Sequence, residues 1–150
     1  MKLHPDIANL PEFTYQPGEE IITEGGHPDR LFFLKWGRVE ILREGIRVAV
    51  LRTPGSVVGE ISLLLETPAT ATVRALEESV FHVADDPLTF LEEHPKVILL
   101  VSRRMAYRLD AASKYLADVK EQLRDCSDHV GMVDGVIDHI MHRDLKKKGA

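Results

Sequence analysis

The chain has 150 residues, 44% hydrophobic and 29% charged, with 24 acidic against 19 basic side chains for a formal charge of −5. That length suits one domain with an appendage and a sizeable core, and the acidic balance speaks against a protein that grips a phosphate backbone through a basic face. One cysteine, Cys126, excludes an intrachain disulfide framework and fits a reducing, cytoplasmic setting.

Met1-Lys2-Leu3-His4-Pro5-Asp6 has no apolar run behind its charge and does not read as a signal peptide. No stretch approaches the roughly 18 uninterrupted apolar residues of a membrane span. From about residue 12 to 84 short β-rich runs alternate with glycine and proline. Strands are expected at Glu20–Thr23, Arg30–Leu34, Arg38–Leu42, Arg47–Leu51, Ala71–Ala75 and Val80–Ala84, all rich in β-branched or aromatic residues. Between them lie Pro17-Gly18, Gly25-Gly26, Trp36-Gly37, Glu44-Gly45 and Pro54-Gly55, which carry turn chemistry. Closely spaced turns of this kind predict a sandwich or barrel, with Arg38–Leu42 and Arg47–Leu51 as a hairpin.

Asp85-Asp86-Pro87 supplies an N-cap and an early proline for a short helix through Leu91, and His94-Pro95 permits a break and a restart. From Val97 to Cys126, Ile98, Met105, Ala112, Val119 and Cys126 recur every seven residues, interleaved with Leu109, Leu116 and Leu123; Ser102 is the one polar member. A repeat of 3.5 residues predicts a supercoiled partner helix, hence a homodimer through residues 98–126. Val97, Leu99, Leu100 and Val101 widen the apolar face at the start, where packing on the same domain is expected. Met132, Val133, Val136, Ile137, Ile140 and Met141 predict a short amphipathic helix within Gly131–Arg143. Lys146-Lys147-Lys148 reads as a solvated tail. The expected division is a β-roll over 1–94, a dimerisation helix over 95–126, and a short helix with a basic tail over 127–150.

No glycine-rich phosphate loop, serine elbow or paired-carboxylate pattern is present, so no enzyme is expected. His139 and His142 lie beside Asp138 without a clear third ligand and read as a solvated helix end, not a metal site. Cys126 reads as seam packing. What remains is a binding module. The run from Pro54 to Ala75 reads as a strand end, Gly59, the carboxylate of Glu60, a short apolar helical turn and a return to a strand. A turn opening at Gly59 offers N–H groups near Ile61 and Ser62, Glu60 offers an acceptor for a sugar hydroxyl, and Thr70 and Thr72 offer hydroxyls.

The order Tyr15-x-Pro17-Gly18-Glu19-x-Ile21, Glu24-Gly25, Leu31-Phe32-Phe33-Leu34-x-x-Gly37-x-Val39, Pro54-Gly55-x-x-x-Gly59-Glu60-Ile61-Ser62-Leu63 resembles the cyclic nucleotide-binding domain family. That family includes catabolite activators, kinase regulatory subunits and cyclic-nucleotide-gated channels. The resemblance runs from about Phe13 to Ala84, and residues 95–126 resemble the dimerisation helix of catabolite activators and anaerobic regulators. It implies a mainly β fold, a β-roll of the jelly-roll type followed by a long C-terminal helix. It implies no cofactor, and a cyclic nucleotide, cAMP or cGMP, held by a phosphate cassette over residues 59–72. Glu60 would take the ribose 2′-hydroxyl, with Gly59, Ile61 and Ser62 lining the pocket through their backbone. Gly18, Gly25 and Gly37 would shape turns without touching ligand.

The cassette of the family carries an arginine, followed by alanine or serine, downstream of its glutamate. With Thr67-Pro68 as register, that place holds Ala69, followed by Thr70, and Glu66–Val73 contains no arginine. Losing a guanidinium–phosphate pair costs on the order of 2–4 kcal/mol, about 30- to 1000-fold in affinity. Arg74 and Arg52 are alternative sources of charge, neither at the expected place. The functions this leaves are a sensor that binds cAMP or cGMP weakly or through altered contacts, and a dimeric scaffold for an unidentified protein partner or a different small ligand. A third is the effector domain of a transcription regulator without its DNA-reading domain.

Overall fold

A computed structural model of the chain describes residues 3–124 and 134–141. The elements run α1 (Pro5–Ala8), β1 (Glu12–Tyr15), β2 (Glu20–Ile22), β3 (Leu31–Trp36), β4 (Val39–Arg43), β5 (Ile46–Leu51), β6 (Val57–Val58), α2 (Glu60–Leu65), β7 (Thr72–Ala75), β8 (Ser79–Ala84), α3 (Pro87–Glu93) and α4 (Pro95–Gln122). Helix also covers 134–141. All six strands expected from the sequence are present, their ends shifted by one or two residues. Packing separates two units, Met1–Arg104 and Met105–Ala150.

In the first unit two antiparallel four-stranded sheets, ordered β1-β8-β3-β6 and β2-β7-β4-β5, form a β-roll. Between them lies a cluster of Ile22, Phe32, Leu34, Val39, Val58, Ala69, Val73, Ala75, Phe81 and Val83. Phe32 and Tyr15 both meet Phe81 edge-on, at 6.2 and 6.0 Å. Leu31 through Leu34 are all buried, as is every residue of β8. The sheet is covered on both faces: Phe32 and Leu34 face the roll interior, while Phe33 meets Phe90 of α3 at 6.2 Å. That double cover explains why Leu31–Leu34 reads as a continuous apolar run and not as alternation. The other sheet alternates. Val73 and Ala75 of β7 are buried, and Thr72 and Arg74, which alternate with them, are half-exposed.

Two positive-φ turns fix strand connections. Glu44 and Gly45 join β4 to β5 with φ of 53° and 78°, a turn whose twist matches that of the strands it links. At Gly37, φ is +113° and a Cβ would lie 2.3 Å from Ser79 Oγ, so only glycine fits. The same Ser79 hydroxyl accepts from the Arg38 N–H at 3.1 Å.

On the outer face Glu40 stands directly across from Arg74. Arg74 donates to Glu40 Oε1 through Nε at 2.9 Å and Nη2 at 2.6 Å, and Arg47 donates through Nε to Oε2 at 2.8 Å. These bonds, those from Arg74 first, hold the Glu40 carboxyl below its usual pKa of 4.5. A lowered folded-state pKa stabilises the fold above the unfolded pKa, and that stability is lost as pH falls through the folded value. The melting-temperature difference between wild type and Glu40→Gln is therefore expected to be full at neutral pH and to shrink below about pH 4.5; thermal melts across pH check this.

α3 begins where the sequence placed its cap: Asp86 Oδ1 accepts from the Thr89 N–H at 3.5 Å, with Pro87 in the first turn. α4 restarts at Pro95 and buries Val97 and Val101. In the second unit Leu109 is 70% exposed, Leu116, Val119 and Leu123 are half-buried, and Lys120 pairs with Asp134. Cys126, Met132, Val133, His142 and the lysine tail lie outside the described residues, as does part of the seam expected to end at 126. Among the described residues no helix is long and apolar enough to cross a membrane, and no group of three potential metal-ligating side chains is found.

Candidate ligand cassette

The corner between β6 and α2 is set by Gly59. Its φ is +93°, and a Cβ there would sit 2.8 Å from the Arg30 carbonyl oxygen. A side chain would be strained in backbone and would collide with backbone. Gly59→Ala is therefore expected to destabilise the roll by about 1–3 kcal/mol, measurable as a shift in urea midpoint at constant slope.

Gly59 caps α2, which places Glu60 in its first turn. Glu60 is only 3% exposed. The Ser62 hydroxyl turns back to donate to the Gly59 carbonyl at 3.2 Å, and Ser62 is buried. Ile61 points outward, 42% exposed, so only its backbone faces the corner. Glu66 ends the helix at φ 53°. The Thr67 N–H then donates to the Ser62 carbonyl at 3.1 Å, while its Oγ1 is buried without a partner among the described residues.

Ala69 is held from both sides. Its N–H donates to Gly26 O, and its carbonyl accepts from the Gly25 N–H, each at 2.8 Å. Its side chain is 6% exposed and belongs to the interior cluster. Ile22 and Phe32, which would flank a Cβ at Gly59 at 3.6 and 3.7 Å, belong to the same cluster. Gly59 and Ala69 thus border one apolar interior, Glu60 and Ser62 are buried in the turn that follows Gly59, and Thr70 follows Ala69 half-buried. Thr72 is placed differently. It alternates with the inward Val73, and its hydroxyl accepts from the Glu24 N–H at 3.0 Å. Nor is Arg74 a spare cation, since it is spent on Glu40 at the outer face; Arg52 is exposed just after β5.

The sequence reading omits the Ile22 and Phe32 wall beside Gly59 and gives Gly25 a turn role alone. The strand periodicity at 31–34 carried some of that signal. The bond from Gly25 to position 69 spans 44 residues and leaves no local trace.

The profile of the family described as "Cyclic nucleotide-binding domain" matches residues 12–86, half of the chain. The chain belongs to the cyclic nucleotide-binding domain family. It is similar to Glutaminase 1 of Bradyrhizobium diazoefficiens, 36% identical over 98 residues, which is 64% of this chain and 16% of that protein. It resembles the catabolite activator protein of Thermus thermophilus with a TM-score of 0.64 and 26% identity, covering 76% of this chain and 56% of that one. It also resembles the regulatory subunit of a cAMP-independent protein kinase A from Trypanosoma cruzi bound to guanosine, with a TM-score of 0.50 and 27% identity, over 55% and 29% of the two chains. The chain spans only part of the length of each of these proteins. Within this cyclic nucleotide-binding domain the β-roll with its following helix is as the residues foretold, and the side chain at position 69 is a methyl group in the core.

Proposed function

We propose that the chain is a non-enzymatic, cytoplasmic sensor module that takes cAMP or cGMP weakly, through altered contacts, and signals through α4. The observation that carries this reading is the buried Glu60 on the turn capped by Gly59, a glycine that itself borders the interior holding Ala69. Glu60 accepts a ribose hydroxyl, and the backbone of Gly59, Ile61 and Ser62 lines the rest. Ala69 makes the contacts altered, because it offers no charge to a phosphate. The Trypanosoma cruzi neighbour supports a ribose-bearing ligand in this fold.

Two copies pair through residues 98–126 in this reading. Leu109 stands open to solvent and its heptad mates Leu116, Val119 and Leu123 are only half-covered, as suits a seam awaiting a second α4. A ligand passes a signal only by favouring one arrangement of that helix over another.

A second reading, a dimeric interaction scaffold or a site for another small ligand, is favoured by the same Ala69. Calorimetric titration with cAMP, cGMP and cyclic dinucleotides decides between them. Weak, saturable heat from cAMP or cGMP, lost in Glu60→Ala while the fold is retained by circular dichroism, is expected. Absence of heat from all of them overturns the sensor reading.

A further inference from the structure

We infer that the outer margin of β5 is a self-pairing edge, along which two copies of the chain join antiparallel about Val48. This depends neither on the reading of residues 59–72 nor on that of the α4 seam. β5 (Ile46–Leu51) ends its sheet, with β4 on one side and no strand among the described residues on the other. At six residues it is longer than β1, β2 and β6, which form the other sheet margins. An edge strand keeps backbone N–H and C=O groups pointing away from its neighbour, and proteins commonly blunt such an edge with lysine or proline. Ile46–Leu51 contains neither. Instead Ile46, Val48 and Val50 are 67%, 60% and 40% exposed, so alternate positions along the edge are apolar and open.

The charges at the two ends of the edge identify the occupant as a second copy. In antiparallel pairing about Val48, that residue faces its own counterpart and Ile46 faces Val50 on both sides of the axis. Arg47, already paired with Glu40, faces Ala49. Just beyond the ladder, exposed Glu44 of each copy comes opposite exposed Arg52 of the other. Apolar and opposite-charge pairs across strands are the contacts that stabilise such a ladder, and like charges directly opposite weaken it. Centring the pair on Arg47 sets arginine against arginine, and centring it on Ala49 sets Ile46 against Arg52, so the register about Val48 is the matched one. β5 carries one extra residue between the partners of Ile41 and Leu42, and it is Val48. The bulge therefore falls on the two-fold axis and bends both copies in the same place. The ladder is short and the contact small, which sets a weak association with a Kd on the order of 0.1–1 mM.

The experiment is sedimentation of the full chain carrying Leu116→Lys and Leu123→Lys, which charges the α4 seam, from roughly 10 µM to about 1 mM. A monomer at tens of micromolar that dimerises at the higher concentrations is expected. Val48→Lys in that background sets lysine against lysine on the axis and is expected to weaken the dimer by about tenfold or more. Glu44→Arg and Arg52→Glu are each expected to weaken it about tenfold, since each turns two opposite-charge pairs into like-charge pairs. An equimolar mixture of those two variants is expected to regain the association, because each then presents the charge that the other lacks. All three positions are exposed, and circular dichroism checks that the roll is kept. A chain that stays monomeric to about 1 mM overturns the inference and leaves the edge to a strand from another protein. Association that Val48→Lys and both charge reversals leave unchanged also overturns it, as does a mixture that stays monomeric. None of these outcomes bears on the ligand titrations.

Discussion

Ala69→Arg is expected to raise the affinity for cAMP or cGMP by about tenfold or more. The pair that a guanidinium makes with a cyclic phosphate is worth about 2–4 kcal/mol in a desolvated setting, which corresponds to about 30- to 1000-fold; part is spent on adjusting neighbours. Position 69 is well prepared for such a test, because its backbone is fixed by the bonds to Gly25 and Gly26 and its side chain points into the roll. The same burial has a second consequence. An arginine there without ligand leaves a charge among Ile22, Phe32 and Val73, so the unliganded variant melts earlier than wild type. Saturating cyclic nucleotide should then raise its melting temperature more than it raises that of wild type, since a ligand binding only the native state adds stability in proportion to its affinity. Titration and thermal shift measure the two halves. No gain in affinity from a folded variant removes position 69 from the site.

Leu116→Lys with Leu123→Lys is expected to convert a dimer into a monomer while leaving the β-roll folded. Both residues lie on the heptad seam of the α4 segment, within the unit that follows Arg104. Two lysines per chain facing their counterparts place like charges across an apolar seam, which coiled coils do not tolerate without loss of stability. Analytical ultracentrifugation at roughly tens of micromolar distinguishes the outcomes, and circular dichroism reports the roll. A wild-type protein that sediments as a monomer under those conditions ends the pairing argument.

Most of the roll was legible because turn chemistry is local. Gly37, Gly45 and Gly59 sit where φ is positive, and each announces a turn in the sequence. What escaped notice has a physical reason. β1 is exposed along three of its four residues, so it carries no alternation, and β6 is two residues long. Their status as strands comes from the partners they find, β8 and β3, far away in sequence. α1 is a single turn whose Ile7 is wholly buried, a tertiary fact invisible in six residues. The hairpin was placed correctly, but its connection was read as four residues when two suffice. In the candidate cassette, motif order singles out Gly59, Glu60 and Ala69, and the fold brings them together only as far as Gly59 and Ala69 border the core. Thr72 could not be oriented, since the inward or outward sense of β7 depends on which face its neighbours bury.

The double cover of β3 and β8 carries a cost in specificity. Where only one side of a strand is apolar, sliding it by a single residue would turn its oily side outward and be punished at once. β3 is oily on both sides over Leu31–Leu34, and β8 departs from that only at the buried Ser79 and His82, so hydrophobicity alone penalises a slide only weakly. Alignment is therefore policed by shape and by buried polar groups, with His82 Nδ1 lying 3.0 Å from the Leu10 carbonyl oxygen. The contact at Gly37, too tight for any larger residue, latches against Ser79 at the first position of β8, and the irregularity between Leu34 and Trp36 marks the place where the ladder steps to accommodate it. A glycine in a turn thereby helps decide which aromatic rings look into the core and which look away.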